Sequence, residues 1–170
     1  MEQDSYKYIA HSENSNGEEQ SMKQHSKGVA ELMKSFALAN DFAEIYSYCG
    51  LLHDLGKYSS GFQKYIRSNG DKEPHAKWGA YMARKNKYIN IAFPIIGHHT
   101  GLPNRDAMFE DLEMCAKEEN KWKNIQQALG EEGAIMPMCD NSPFNKIEDT
   151  FQKELADESL PVWECGLKLA

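Results

Sequence analysis

An imidazole and a carboxylate stand side by side at His53-Asp54, at the end of an apolar run and directly before Leu55-Gly56-Lys57. Four more histidines are spread widely around that pair: His25, His75, His98 and His99. Neutral imidazole nitrogens and an ionised carboxylate are good ligands for first-row metals. If these side chains serve one centre, several segments of the chain must converge on it. A lone His-Asp dipeptide is commonplace. One that closes an apolar helix and is framed by four other histidines points to a metal site.

The periodicity around these residues is helical, and the chain reads as all-α. Ser21 and Gln24 form an S-x-x-Q capping box, so a first helix starts at Ser21. Met22, Val29, Leu32 and Phe36 form its apolar stripe. His25 falls on that stripe and points inward. A second helix starts at Asp41, with Glu44 as a second capping pair, and carries Phe42, Ile45, Cys49 and Leu52. Gly56 suits a left-handed turn at its end. His53 and Asp54 then share the last turn, about 100° apart around the axis, and Lys57 brings a cation close to them. Ser60 with Gln63 caps a short third helix bearing Phe62, Tyr65 and Ile66. A fourth begins near Pro74, with His75 in its first turn and a small-residue face at Ala76, Gly79, Ala80 and Ala83. Tyr88 to Ile96 holds a short or kinked helix containing Pro94. It leads into Gly97-His98-His99-Thr100-Gly101, where glycines on both sides free the paired histidines to turn toward one centre. Arg105 to Leu129 reads as one long helix ended by Gly130. A loop to residue 146 follows, then a helix with Ile147, Phe151 and Leu155, and a last helical segment from Pro161. No repeat, low-complexity tract or strand-like alternation is present.

Before the first helix, an apolar patch at Tyr6, Tyr8, Ile9 and Ala10 is placed to dock on the core. The polar stretch from Ser12 to Glu19 reads as an exposed loop. His11 between them is either a loop histidine or a residue at the rim of the site.

At 170 residues the chain has the size of one domain with a real core. No apolar run is long enough to span a bilayer, and the acidic, polar start is not a signal peptide. Cys49, Cys115, Cys139 and Cys165 show no C-x-x-C spacing, which argues against a zinc knuckle or a redox motif. They read as reduced, packed thiols of a cytoplasmic protein. The formal net charge of −7 disfavours broad, non-specific binding of nucleic acid. It leaves room for a local basic rim around a metal pocket.

His25, the His53-Asp54 pair with Leu55-Gly56-Lys57, the segment His75-Ala76-Lys77-Trp78-Gly79-Ala80, and Gly97-His98-His99-Thr100-Gly101-Leu102-Pro103 together resemble the HD-type nuclease domain. More narrowly, they are similar to the HD nuclease of the CRISPR-associated helicase-nuclease of type I systems. Phe62-Gln63 and Ile9-Ala10-His11-Ser12 resemble the same branch. The resemblance covers about residues 8–103 of what reads as a single domain over 1–170, and it implies a helical bundle around a metal pocket. It implies that His25, His53 and Asp54 hold a first divalent ion and that His75, His98 and His99 hold a second, with Asp54 bridging. It further implies catalytic roles for Asp54 and Lys57, and substrate contacts from Lys57 and His11. The family's later metal-binding Asp has no counterpart in a matching motif. Asp140, Asp149 and Asp157 stand alone, and residues 105–170 carry no matching motif. The expectation is therefore a stand-alone, excised or truncated nuclease domain. Its implied partners are single-stranded DNA, a helicase portion and an RNA-guided surveillance complex, with no membrane.

Two metal ions suit phosphodiester cleavage. Coordination rich in histidine and free of thiolate favours Mn, Ni, Co, Fe or Zn over Mg. Tyr58, Tyr65 and Trp78 are either packing residues or platforms for stacked bases. Two other readings use the same residues: a phosphohydrolase of nucleotides or cyclic nucleotides, and a catalytically impaired module that only docks a CRISPR complex. Replacing His53 or Asp54 by Ala is expected to abolish cleavage with little loss of fold.

Overall fold

The computed structural model describes residues 6–37, 40–68 and 70–134, leaving aside the side chains of Asn40 and Asp41. Two short strands, β1 (Ile9–His11) and β2 (Gln20–Ser21), pair antiparallel with an irregularity between Ile9 and His11. Seven α-helices follow among the described residues: α1 (Met22–Ser35), α2 (Asn40–Leu52), α3 (Ser60–Ile66), α4 (Ala76–Lys85), α5 (Ile89–Gly97), α6 (Arg105–Lys117) and α7 (Glu119–Glu131). One turn of 3-10 helix, Leu55–Tyr58, lies between α2 and α3. The fold is thus mostly helical. The two strands escaped the sequence pattern because two or three residues are too few for alternation to register.

The capping box at Ser21 forms as expected, with the Ser21 hydroxyl accepting from the Gln24 amide and the Gln24 side chain accepting from the Ser21 amide. The buried face of α1 differs from the expected stripe. Met22, Ser26 and Ala30 are buried, whereas Leu32 and Phe36 are 56% and 62% exposed. The reason is close packing: α1 lies along α2, where a Cβ on Gly50 would strike the backbone of Ala30. Small residues make that contact, and the larger apolar ones at Leu32 and Phe36 fall outside it. On α2, Ile45, Tyr48, Cys49 and Leu52 are buried. The expected capping of α2 by Asp41 lies outside the described side chains.

Helix α3 is capped by Ser59, whose hydroxyl accepts from the Phe62 amide, and not by Ser60. His75 itself is the N-cap of α4, one residue beyond the expected start at Pro74. The small face of α4 does its expected job. Ala80 and Ala83 are fully buried, and a Cβ on Gly79 would collide with the carbonyl of Leu52. Pro94 is accommodated inside α5, which is one helix.

The expected single helix from Arg105 to Leu129 is two. Glu118 leaves the helical region at φ −90°, ψ 51°, and the chain restarts at Glu119. Its carboxylate meets Lys77 at 2.8 Å and Lys121 at 3.6 Å, and Lys121 also pairs with Glu73. This break turns α7 back onto the 3-10 turn, where Tyr58 donates to Glu132 at 2.5 Å and the Ser60 amide donates to Asn124 at 2.7 Å. Met108, Leu112, Cys115, Ile125 and Leu129 fill the core between α6, α7 and the rest. Trp78 is fully buried against the ring of Trp122, and Tyr58 is also buried, so these two pack and do not offer stacking surfaces; Tyr65 is exposed. Cys49 and Cys115 are buried and form no disulfide among the described residues. Cys139, Cys165, Asp140, Asp149, Asp157, Gly130's proposed loop beyond residue 134 and the helices expected around Ile147 and Pro161 lie outside the described residues. Among the described residues no helix is long and apolar enough to cross a membrane.

Gly79→Ala should cost about 1–3 kcal/mol or more, because its Cβ has backbone and not a movable side chain in its way. Gly28→Ala, in the exposed middle of α1 with nothing within 4 Å of its Cβ, should instead stabilise by about 0.5–1 kcal/mol. Urea unfolding of the two variants beside the wild type reads both signs.

Candidate metal centre

The centre is built around Asp54. The His53 amide still donates to Cys49 O at 2.9 Å, extending the bonding of α2 by one residue. Asp54 then leaves the helix at φ −109°, ψ 18° and starts the 3-10 turn. The expected left-handed Gly56 does not occur; among the described residues the left-handed glycines are Gly17, Gly101 and Gly133. Gly56 is required for a different reason. A Cβ there would run into the backbone of His75, so the missing side chain is what lets the start of α4 approach the turn.

The two oxygens of Asp54 face two groups of nitrogens. Oδ2 lies 2.9 Å from His25 Nε2, 3.1 Å from His53 Nε2 and 2.8 Å from Lys57 Nζ. Oδ1 lies 3.2 Å from His75 Nε2 and 3.4 Å from His98 Nε2. His99 completes the second group, its Nε2 2.9 Å from that of His75. The ligand atoms of Asp54, His75, His98 and His99 fall within 4.8 Å of one another, and so do those of His25, His53 and Asp54. The six residues singled out in the sequence are therefore brought together around Asp54, in two groups that could each hold a metal ion.

Three observations fit these residues to metal ions. First, Nδ1 of His53 faces Gly50 O at 2.7 Å and Nδ1 of His98 faces Ile95 O at 2.6 Å. Nδ1 of His25 lies 3.2 Å from Gln20 Oε1. A carbonyl accepts only, so each Nδ1 carries the proton, and a metal-binding ring would then present its Nε2 lone pair on the Asp54 side. Second, Nε2 of His25 and His53 face each other at 3.1 Å. Two lone pairs at that distance repel unless a proton or cation lies between them. Third, Asp54 Oδ1 is buried and receives no well-aligned hydrogen bond, although two ring nitrogens stand within 3.4 Å. An orphaned buried carboxylate oxygen calls for a cation or a donor.

Charge at the site follows from the same geometry. Burial alone would raise the Asp54 pKa, but the surrounding rings of His25, His53, His75 and His98 hold it far below the usual carboxylate range. Burial lowers the pKa of His98, and Asp54 more than reverses that, so His98 sits above its ordinary value. His99 sits below its ordinary value through burial and then through the neighbouring rings of His98 and His75. Lys57 lies beside the site as expected but is buried, with its ammonium on Asp54 Oδ2 and, at 3.2 Å, on Ala10 O. Its charge thus compensates Asp54 and does not face solvent. His11 stands exposed at the rim, edge-on to the His25 ring with centroids 4.9 Å apart. Its pKa is lowered by partial desolvation against the neighbouring rings and then by Lys57.

Residues 22–134 match the family model of the HD domain. The chain belongs to the HD domain family. The match runs past the 8–103 motif core, through α6 and α7. The two His/Asp clusters are those of an HD metal site, and the protein is an HD-domain hydrolase of the metal-dependent phosphohydrolase superfamily. No curated protein sequence matches the chain significantly. Sequence reasoning missed the groups that orient the rings: Gln20, Gly50 O and Ile95 O. The two carbonyls carry no residue-type signal at all, and Gln20 is an ordinary polar residue ahead of a helix cap.

The second set offers four protein ligands and the first offers three, so calorimetry should show two unequal binding events, the tighter one lost in His99→Ala. Protons on the rings compete with metal. Since His98 is raised, affinity should climb as pH rises through its pKa, and binding should release protons. Heats that do not change between buffers of different ionisation enthalpy would contradict this. Asp54→Ala would leave Lys57 buried without its carboxylate, a cost of about 3–5 kcal/mol, contrary to the expectation of an intact fold. Asp54→Asn is the cleaner variant, and it should weaken both sites by about a hundredfold or more.

Proposed function

We propose that this HD-domain hydrolase cleaves phosphodiesters of single-stranded DNA, as the nuclease component of a type I CRISPR defence system in the cytoplasm. The observation that carries the reading is the shared Asp54, with one oxygen toward His25 and His53 and the other toward His75 and His98. A carboxylate that can serve two ions at once suits in-line displacement at a phosphodiester. When bound, divalent cations supply the acidity that makes hydroxide from water near neutral pH and offset the charge on the phosphoryl oxygens. The chain's own residues do the rest. The rings of His25, His53 and His98 are held in one orientation by their Nδ1 partners, so little reorganisation is needed at the moment of reaction. Lys57 neutralises Asp54, which leaves the pocket without net negative charge to repel a phosphate. His11, exposed at the rim, is placed to meet the substrate.

The finer assignment rests on the joint resemblance of the HD, His75 and His98-His99 segments, and of Phe62-Gln63, to that nuclease branch. A helicase portion and an RNA-guided complex are the partners it implies. Hydrolysis of a nucleotide or cyclic nucleotide uses the same ligands and is the alternative to test against.

Purified protein with added manganese or nickel should degrade a single-stranded oligonucleotide and leave a nucleotide and cyclic-nucleotide panel intact. Asp54→Asn should lower that rate by about a hundredfold or more. Turnover of the nucleotide panel with untouched DNA would replace the nuclease reading by the phosphohydrolase one. Loss of neither substrate, with metal bound, would support a docking module.

A further inference from the structure

Strand β1 is too short to hold itself in place. Its pairing with a two-residue partner is irregular, and a two-stranded ribbon of this size is not stable alone in water. Yet Ile9 and Ala10 are both 1% exposed, so the segment is firmly seated. Side chains of the metal turn and α3 seat it. The Gln63 amide acts as a neighbouring strand's peptide would. Its Oε1 accepts from the Ile9 amide at 3.0 Å, and its Nε2 donates to Ile9 O at 2.9 Å. The same Nε2 donates to Lys57 O at 2.7 Å, and Oε1 also accepts from Arg67 Nη1 at 2.5 Å. Arg67 Nη2 in turn donates to Tyr6 O at 2.9 Å and Lys7 O at 3.0 Å, while Lys57 Nζ reaches Ala10 O. Gln63 is buried and has every polar atom engaged. It joins the turn that carries Asp54 to the strand that ends in His11.

We propose that Gln63 is a positioning residue: by tying β1 to the metal turn it keeps His11 at the mouth of the centre, where the His11 ring binds the phosphodiester. The inference rests on the hydrolase reading of the site but not on DNA as the substrate. Gln63→Leu removes all four bonds at similar volume and touches no metal ligand. His11 is solvent-facing, so truncating it removes a contact to substrate without opening the core.

The experiment combines His11→Ala, Gln63→Leu and the double variant in the full chain. Hydrolysis of bis(p-nitrophenyl) phosphate with manganese, manganese affinity, and hydrogen exchange at the Ile9 amide are measured for each. Gln63→Leu should speed Ile9 exchange by about tenfold or more. It should raise KM about fivefold to tenfold with kcat and manganese affinity within about twofold. His11→Ala should raise KM to a similar extent, and the double variant should be no worse than His11→Ala, because Gln63 acts through His11. Unchanged Ile9 exchange, a parallel loss of metal affinity, or losses that multiply in the double variant would each overturn the proposal. If Gln63→Leu does not fold, Gln63→Met is read by the same measures. If the wild type hydrolyses no phosphodiester, the proposed function falls separately. The positioning role is then read from Ile9 exchange and from the His11 ring resonances on adding dimethyl phosphate. A response in the wild type that is lost in Gln63→Leu supports it, and the same response in both overturns it.

Discussion

Everything else in this structure depends on one buried carboxylate that serves two sets of nitrogens. Asp54 is the junction of four helical segments. His25 comes from α1, His53 from the end of α2, His75 from the start of α4, and His98 and His99 from the end of α5. A carboxylate this buried is tolerated only when its charge is answered. Lys57 answers it from three residues away on the same turn. Imidazole binds metal in its neutral state, through the nitrogen that carries no proton.

Close backbone approach is the means by which the junction forms. The absent side chain at Gly56 lets the His75 backbone reach the turn, and that at Gly79 lets α4 lie on the last carbonyl of α2. The break at Glu118 returns α7 to the same turn, where Tyr58 and Ser60 are held from behind. The metal side of the turn faces the histidines, and its other side is packed by α7 and by β1. The centre is thus set on rigid elements, as a site with little reorganisation requires.

Much of this was legible in the residues. The capping box at Ser21 fixed the phase of α1, and with it the inward position of His25. The His-Asp pair at the end of an apolar helix and the paired histidines after α5 announced a converging ligand set. What failed has physical causes. Leu32 and Phe36 were expected inside because a pattern of large apolar residues cannot reveal a helix contact made by Ser26, Ala30 and Gly50. Gly56 after an apolar helix suggests dihedral freedom, whereas the structure uses its lack of volume. Ser59 and Ser60 are equivalent as capping residues on paper, and only the path of the chain chooses between them. At the helix break the Glu118 carboxylate pairs with Lys77, 41 residues away, and no local pattern carries that contact. The carbonyls of Gly50 and Ile95 that orient two rings are invisible to any reading of side-chain types.

The two oxygens of Asp54 are placed to serve two metal ions at once. Anomalous diffraction from crystals loaded with manganese tests it most directly. Two anomalous peaks are expected, one among His25, His53 and Asp54 and the other among Asp54, His75, His98 and His99, with the Asp54 carboxylate touching both. A single peak under saturating metal, or two peaks of which one has no contact with Asp54, would contradict it.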